Sequence, residues 1–241
     1  LPARSEMCIR DRSGGLRQRV LIAIGLACQP RLLIADEPTS ALDVTVQRVI
    51  LDRLDEMTAE RGTSVLLITH DLALAAERAE DVVVMHRGRV VESGPARQLL
   101  ESPQHPYTQE LVRAAPSVAA ARLMPGDFTG AGGAYDAVAG SAEASPAEMD
   151  PLVRVEGLSK SYPKRGVRGE DFFAAKNVSF EIPRGSAVAL VGESGSGKTT
   201  TARMLLGLTE PTSGRIEFDG EDLSGLKRSD WKRVRRRMQP I

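Results

Sequence analysis

Apolar residues along this chain gather into short uninterrupted runs, Leu32–Ala35, Val65–Thr69 and Val82–Met85, separated by stretches with helical periodicity. Runs of this length that are apolar at every position suit strands buried on both faces, joined by crossover helices, so residues 14–115 predict parallel α/β organisation. Arg87-Gly88 then stands between Val82–Met85 and Val90–Val91, the pattern of a hairpin at a sheet margin. From Val118 to Met149 the composition shifts to Ala, Gly, Ser and Pro with no sustained period, which predicts a linker over 118–150. Beyond it, Leu152–Val155, Val178–Ile182 and Ala187–Val191 read as strands and Lys198–Leu206 as a helix start, so 151–241 opens a second α/β unit.

Composition narrows the picture only slightly. The 32 basic and 32 acidic residues cancel, so no global field points to nucleic acid or an anionic membrane. The dense basic run Lys227–Arg237 is expected to be a solvated helix face. Cys8 and Cys28 suit neither a disulfide framework nor a zinc site, and no apolar run approaches the roughly 18 residues of a membrane span. Leu1–Arg12 has no apolar period; Ala3–Arg12 resembles translated adaptor DNA, and the expectation is a foreign or disordered N-terminus.

Chemistry enters with Gly192-Glu193-Ser194-Gly195-Ser196-Gly197-Lys198-Thr199, followed by Thr200, which matches GxxxxGK[ST] between a strand and a helix. Glycines let successive N–H groups curl around phosphates, and the helix N-terminus adds its dipole. Lys198 would add a point charge and the Thr199 hydroxyl a ligand to Mg²⁺. In the first segment, Leu32–Ala35 runs into Asp36-Glu37-Pro38, placing two carboxylates at the C-terminal edge of a parallel sheet. Asp36 suits holding Mg²⁺, mostly through water, and Glu37 suits polarising an attacking water. Thr69-His70-Asp71 ends the next apolar run, and Ser13-Gly14-Gly15 precedes a run of good helix formers.

Together these motifs resemble those of bacterial ATP-binding cassette (ABC) transporter ATPases. The resemblance implies a P-loop NTPase fold: a mostly parallel sheet with flanking helices and an antiparallel β portion. It assigns Ser40-Ala41-Leu42-Asp43 to the D-loop, His70 to the switch histidine that contacts a γ-phosphate, and Ser13, Gly14 and Gly15 to the signature. Arg12 and Leu16 depart from the usual signature residues. Tyr162, in Leu158-Ser159-Lys160-Ser161-Tyr162, resembles the aromatic that stacks on adenine. His105-Pro106-Tyr107-Thr108-Gln109-Glu110-Leu111 looks like the C-terminal extension of the oligopeptide/dipeptide importer subfamily.

The motifs stand in reversed order. The resemblance therefore implies that 13–117 is the C-terminal half of one ATPase domain with its importer-type extension, and 151–241 the N-terminal half of a second. In an intact dimer, Gly192–Thr199 and Ser13–Gly15 would face one ATP, whereas Asp36, Glu37 and His70 would serve the other. Alternatively the two halves dock on one another as a permuted single domain, with Asp36 near Thr199. A linker of this length has a random-coil reach of about 30 Å, enough to permit it.

The implied partners are ATP with Mg²⁺, transmembrane permease subunits, a second ATPase domain or homo-oligomer and, indirectly, an extracytoplasmic solute-binding protein. No nucleic acid is implied, and the implied location is the cytoplasmic face of the inner membrane. The implied function is ATP hydrolysis energising uptake of peptides or related small solutes, with weak or no turnover by this chain alone. The alternatives are a soluble non-transport ABC ATPase and a nucleotide-binding module without catalysis.

Overall fold

The structure is a computed structural model and describes residues 14–39, 44–114, 150–163, 171–227 and 229–241. Ser13, the segment Ser40–Asp43, the N-terminal dozen and nearly all of the expected linker lie outside the described residues. The first segment comprises α1 (Gly14–Ala27), β1 (Leu32–Asp36), α2 (Val44–Ala59), β2 (Ser64–Thr69) and α3 (Leu72–Arg78). It continues through β3 (Asp81–His86), β4 (Arg89–Pro95), α4 (Ala96–Glu101) and α5 (Pro106–Ala114). The second comprises β5 (Val153–Tyr162), β6 (Phe172–Ile182), β7 (Ala187–Val191), α6 (Lys198–Leu205) and β8 (Ser213–Phe218). It ends with β9 (Glu221–Asp222), α7 (Trp231–Arg237) and β10 (Met238–Pro240).

The two segments share one sheet. Its order is β10-β1-β2-β7-β3-β4, so β7 of the second segment lies between β2 and β3 of the first. Both pairings of β7 are parallel, Leu67 opposite Ala189 on one side and Val83 opposite Leu190 on the other. β10 extends the far edge in parallel with β1, and β4 closes the near edge as the antiparallel arm of the expected hairpin. β10 was not legible as a strand: Met238, Gln239 and Pro240 carry no apolar run, and Pro suits only an edge. The two segments dock on one another through this sheet, as in the second of the two expected arrangements.

Strand residues alternate between two cores, as a sheet covered on both faces requires. Ile34, Leu66, Val83 and Leu190 face the antiparallel sheet β6-β5-β8-β9 together with α6 and α7. Ala35, Leu67, Val84 and Val191 face α3, α4 and α5, while Leu33 packs with Ile22, Leu26, Ile50 and Leu54 of α1 and α2.

At the opposite edge from the strand C-termini, Asp219 binds the guanidiniums of Arg31, Arg184 and Arg237, joining both segments through one carboxylate. The basic run is therefore more than a solvated face. Val234 is buried, Arg235 donates to the Leu206 and Gly207 carbonyls, and Arg237 turns inward to Asp219.

Glu92 on β4 fixes the start of α5: its carboxylate accepts the Gln104 N–H at 2.8 Å and the His105 N–H at 2.9 Å. Burial alone would raise its pKa, but these amides together with the Thr108 hydroxyl outweigh it and hold the carboxyl below the ordinary glutamate value. Because the folded value lies below the unfolded one, this contribution is fully present above the unfolded pKa and is lost as pH falls through the folded pKa. Glu92→Gln should lower the urea midpoint at neutral pH, and its deficit relative to wild type should shrink as pH falls below about 4. Leu190→Ala, at a fully buried position, should cost about 2–5 kcal/mol. Chemical denaturation should show it as a shift of one transition common to both segments, since β7 is bonded to the first segment on both sides.

Candidate functional site

The sheet brings the C-terminal ends of β1, β2, β7 and β3 to one edge, where loops can gather side chains from distant parts of the chain. The loop 192–197 follows β7 and leads into α6. Its glycines answer to packing as well as to turning. A Cβ at Gly192 would lie 2.1 Å from the Met85 carbonyl oxygen, and one at Gly197, which has φ +104°, 2.3 Å from that of Ala174. No side chain caps α6, whose first N–H groups have no acceptor within the helix.

The β3–β4 hairpin of the first segment braces this loop. Gly88 N–H donates to the Ser196 carbonyl at 2.9 Å, and the Gly88 carbonyl accepts from Lys176 N–H at 2.7 Å, so the hairpin tip lies between loop and β6. Tyr107 of α5 adds a further tie: its hydroxyl accepts the Glu193 N–H at 3.0 Å.

Lys198 is only 5% exposed and turns back over the loop, donating from Nζ to the Gly192 carbonyl at 2.7 Å and the Glu193 carbonyl at 2.9 Å. Burial lowers its pKa, and the negative charges of Glu37 and Asp36 partly offset this. Thr199 Oγ1 donates to Asp36 Oδ1 at 3.3 Å across 163 residues of sequence. Glu37 occupies the left-handed region at φ +51°, which is uncommon for a residue with a Cβ. Its N–H donates to the Ile68 carbonyl at 2.9 Å, and its carboxylate lies 3.3 Å from His70 Nδ1. Asp71, next in sequence, accepts from the Ala73 and Leu74 N–H groups and so starts α3 directly behind His70.

Asp36, Glu37, His70, Lys198, Thr199 and the loop thus form one cluster. Gly14 and Gly15 open α1, which packs against α2 and β10. Thr200 is half-buried in the first turn of α6. Tyr162 is 43% exposed at the end of β5, opposite Phe172, with the Lys160 ammonium over its ring at 5.3 Å. It reaches the loop's neighbourhood only through β6, whose Ala174 touches Gly197.

Sequence inspection missed the contribution of Tyr107, Gly88 and Ala174 to the loop. The tyrosine was visible as part of a motif, but local sequence carries no signal for a contact spanning 86 residues.

The fit to a polyphosphate can be tested on these residues. The Lys198 ammonium bonds to carbonyls rather than to a carboxylate, leaving its charge unneutralised by direct pairing. The buried Ser196 hydroxyl has no hydrogen-bond partner, and a Cβ at Gly195 would meet open space. Such a loop fits phosphate oxygens. Among the described residues no group of three His, Cys, Asp or Glu could hold a metal ion by itself. The Thr199–Asp36 pair instead fits Mg²⁺ of the kind that takes most of its ligands from phosphates and water.

Comparison with known proteins bears on the same segments. The family model described as ABC transporter matches residues 3–40 and 175–241, beginning inside the stretch expected to be foreign. The model described as the oligopeptide/dipeptide transporter C-terminal region matches 91–132. The glutathione import ATP-binding protein GsiA of Pectobacterium atrosepticum is 42% identical over 239 residues, 95% of this chain and 38% of that protein. Its Escherichia coli counterpart is 40% identical over the same shares. The chain therefore spans 38% of the length of these curated relatives. Among solved structures, a dimeric ATP-binding cassette in a post-hydrolysis state bound to ADP and Pi is 30% identical, covering 35% of each chain with a TM-score of 0.32. Both matching models and the identity sustained along 95% of its length make this chain similar to the ATP-binding proteins of ABC transporters, in the branch with the oligopeptide/dipeptide transporter C-terminal region.

Proposed function

We propose that this chain belongs to an ATP-hydrolysing subunit that energises uptake of peptides or related small solutes through a membrane permease. The observation that carries the reading is the meeting of Lys198 and Thr199 with Asp36, Glu37 and His70 at one sheet edge. Relatives named for glutathione import, and the importer-type region over 91–132, support uptake of a small peptide. In this reading 13–117 is the C-terminal half of one ATPase domain, 118–150 a linker and 151–241 the N-terminal half of a second. The likeness to GsiA, which covers 95% of the chain and so runs through both segments, supports that order.

Each residue has a separable task. The loop amides, the α6 N-terminus and Lys198 bind and orient the β- and γ-phosphates. Mg²⁺, when bound through Thr199 and Asp36, supplies charge neutralisation on the phosphates. Glu37 orients the attacking water and accepts its proton as the oxygen closes on the γ-phosphorus and the bond to the β–γ bridging oxygen breaks, releasing ADP, and His70 contacts the γ-phosphate from the side of Glu37. Tyr162 stacks on adenine at the rim. Ser13, Gly14 and Gly15 serve an ATP held across an interface with a second ATPase domain. The subunit works at the cytoplasmic face of the membrane, and among the described residues no helix is long and apolar enough to cross one.

The purified chain should bind a fluorescent ATP analogue in the presence of Mg²⁺, and Lys198→Ala should weaken binding by at least about tenfold, as expected for loss of a charge-assisted phosphate contact. Glu37→Gln should retain binding, and phosphate release by the chain alone should be weak or absent. Equal affinity in wild type and Lys198→Ala would remove the phosphate loop from the reading; robust turnover abolished by Glu37→Gln would show the single chain to be a competent ATPase.

A further inference from the structure

Tyr107 lies in the importer-type extension, outside every motif assigned to nucleotide chemistry, yet its hydroxyl reaches into the phosphate loop. The residue is 7% exposed, and its ring lies against the His86 imidazole with centroids 4.0 Å apart at 39°. His86 ends β3, two residues before the Gly88 that bonds the Ser196 carbonyl. The helix carrying Tyr107 is itself anchored. Tyr107 N–H donates to His105 Nδ1 at 3.2 Å, and Glu92 of β4 accepts the Gln104 and His105 amides. A continuous set of contacts therefore runs from the extension through the hairpin to both flanks of the loop.

We propose that Tyr107 is a positioning residue for the phosphate loop: by accepting the Glu193 N–H it holds the strand-to-loop junction in the phosphate-binding shape, so that docking of the importer extension sets nucleotide affinity. The chemistry suits the task. Glu193 is the first residue after Gly192, and its side chain is exposed, so without the phenol oxygen its amide would face solvent and the junction could turn. On the same residue, the carbonyl that receives Lys198 Nζ belongs to the next peptide unit, so rotation of the junction would displace the lysine as well. Burial raises the phenol's pKa, keeping the hydroxyl neutral through the physiological range. A phenylalanine would keep the ring against His86 and lose only the acceptor.

The proposal rests on the phosphate-loop reading above, and its test has one arm that needs no nucleotide. Hydrogen–deuterium exchange of the purified chain should show a protected Glu193 amide, exchanging about tenfold faster in Tyr107→Phe. Gln109→Ala, which removes a bond from the same helix to the Pro103 carbonyl just before it, should leave that amide unchanged. In the binding arm, Tyr107→Phe should weaken the fluorescent ATP analogue by about three- to tenfold while the thermal midpoint without nucleotide moves little. A freely exchanging Glu193 amide in the wild-type chain, or equal exchange in wild type and Tyr107→Phe, overturns the proposal whether or not nucleotide binds. Unchanged affinity in a Tyr107→Phe chain whose loop exchanges faster overturns the link to nucleotide. Failure of the wild-type chain to bind the analogue counts instead against the ATP-binding reading, and the exchange result still decides whether Tyr107 holds the loop.

Discussion

A strand in the middle of a sheet needs hydrogen-bonding neighbours on both sides, and β7 finds both of its neighbours in the other segment of the chain. Val188, Leu190 and Val191 are almost wholly buried, so water cannot satisfy their backbone groups and pairing with β2 and β3 must. The dependence is mutual. Without β7 the first segment would expose the facing edges of β2 and β3, leaving the β1–β2 pair and the β3–β4 hairpin as separate ribbons. The sheet accepts strands from both segments because it is indifferent to chain order once register and crossover geometry are met. Asp219, shared by arginines from both segments, fixes the same docking at the opposite edge.

The site inherits this dependence. Lys198 and Thr199 open α6, which follows the inserted strand; Asp36 and Glu37 stand at the end of β1 and His70 just after β2, in the segment that receives it. A slip of β7 against β2 by one residue would turn its side chains to the wrong face and move Thr199 away from Asp36. Correct register is therefore a condition for the Thr199–Asp36 contact, and hydrophobic alternation enforces it, since Leu190 and Val191 belong to different cores. The cluster also concentrates charge at a cost. A buried ammonium held by carbonyls remains poorly neutralised, and the nearby acids offset its desolvation only in part. A polyanion would complete what the protein leaves incomplete.

Much of this was legible in residue order. Leu32–Ala35, Val65–Thr69 and Ala187–Val191 announce buried strands because every position but Thr69 is apolar, and the GxxxxGK[ST] spacing announces the loop because its glycines and lysine fall between a strand and a helix. The pairing of Asp36 with Thr199 was expected only as one of two arrangements, since periodicity describes each element and is silent on which half docks on which. β10 escaped because three residues ending in Pro carry no period, and it exists because β1 offers an open parallel edge. The inward turn of Arg237 escaped because charge runs are exposed by default, whereas here Asp219 supplies a partner from a distant loop.

What the motifs alone could not convey is that the glycines of the loop face protein as much as ligand. Gly192 and Gly197 leave room for the carbonyls of Met85 and Ala174, and Gly88 fills the space between them with its own two hydrogen bonds. The loop is consequently clamped by a hairpin and a β6 strand before any phosphate arrives. Such preorganisation lowers the ordering cost of binding, because the N–H groups need not be gathered at that moment. Its shape is then a property of the docked whole: the second segment supplies the sequence of the loop, and the first segment, through β3, β4 and α5, supplies most of what holds it.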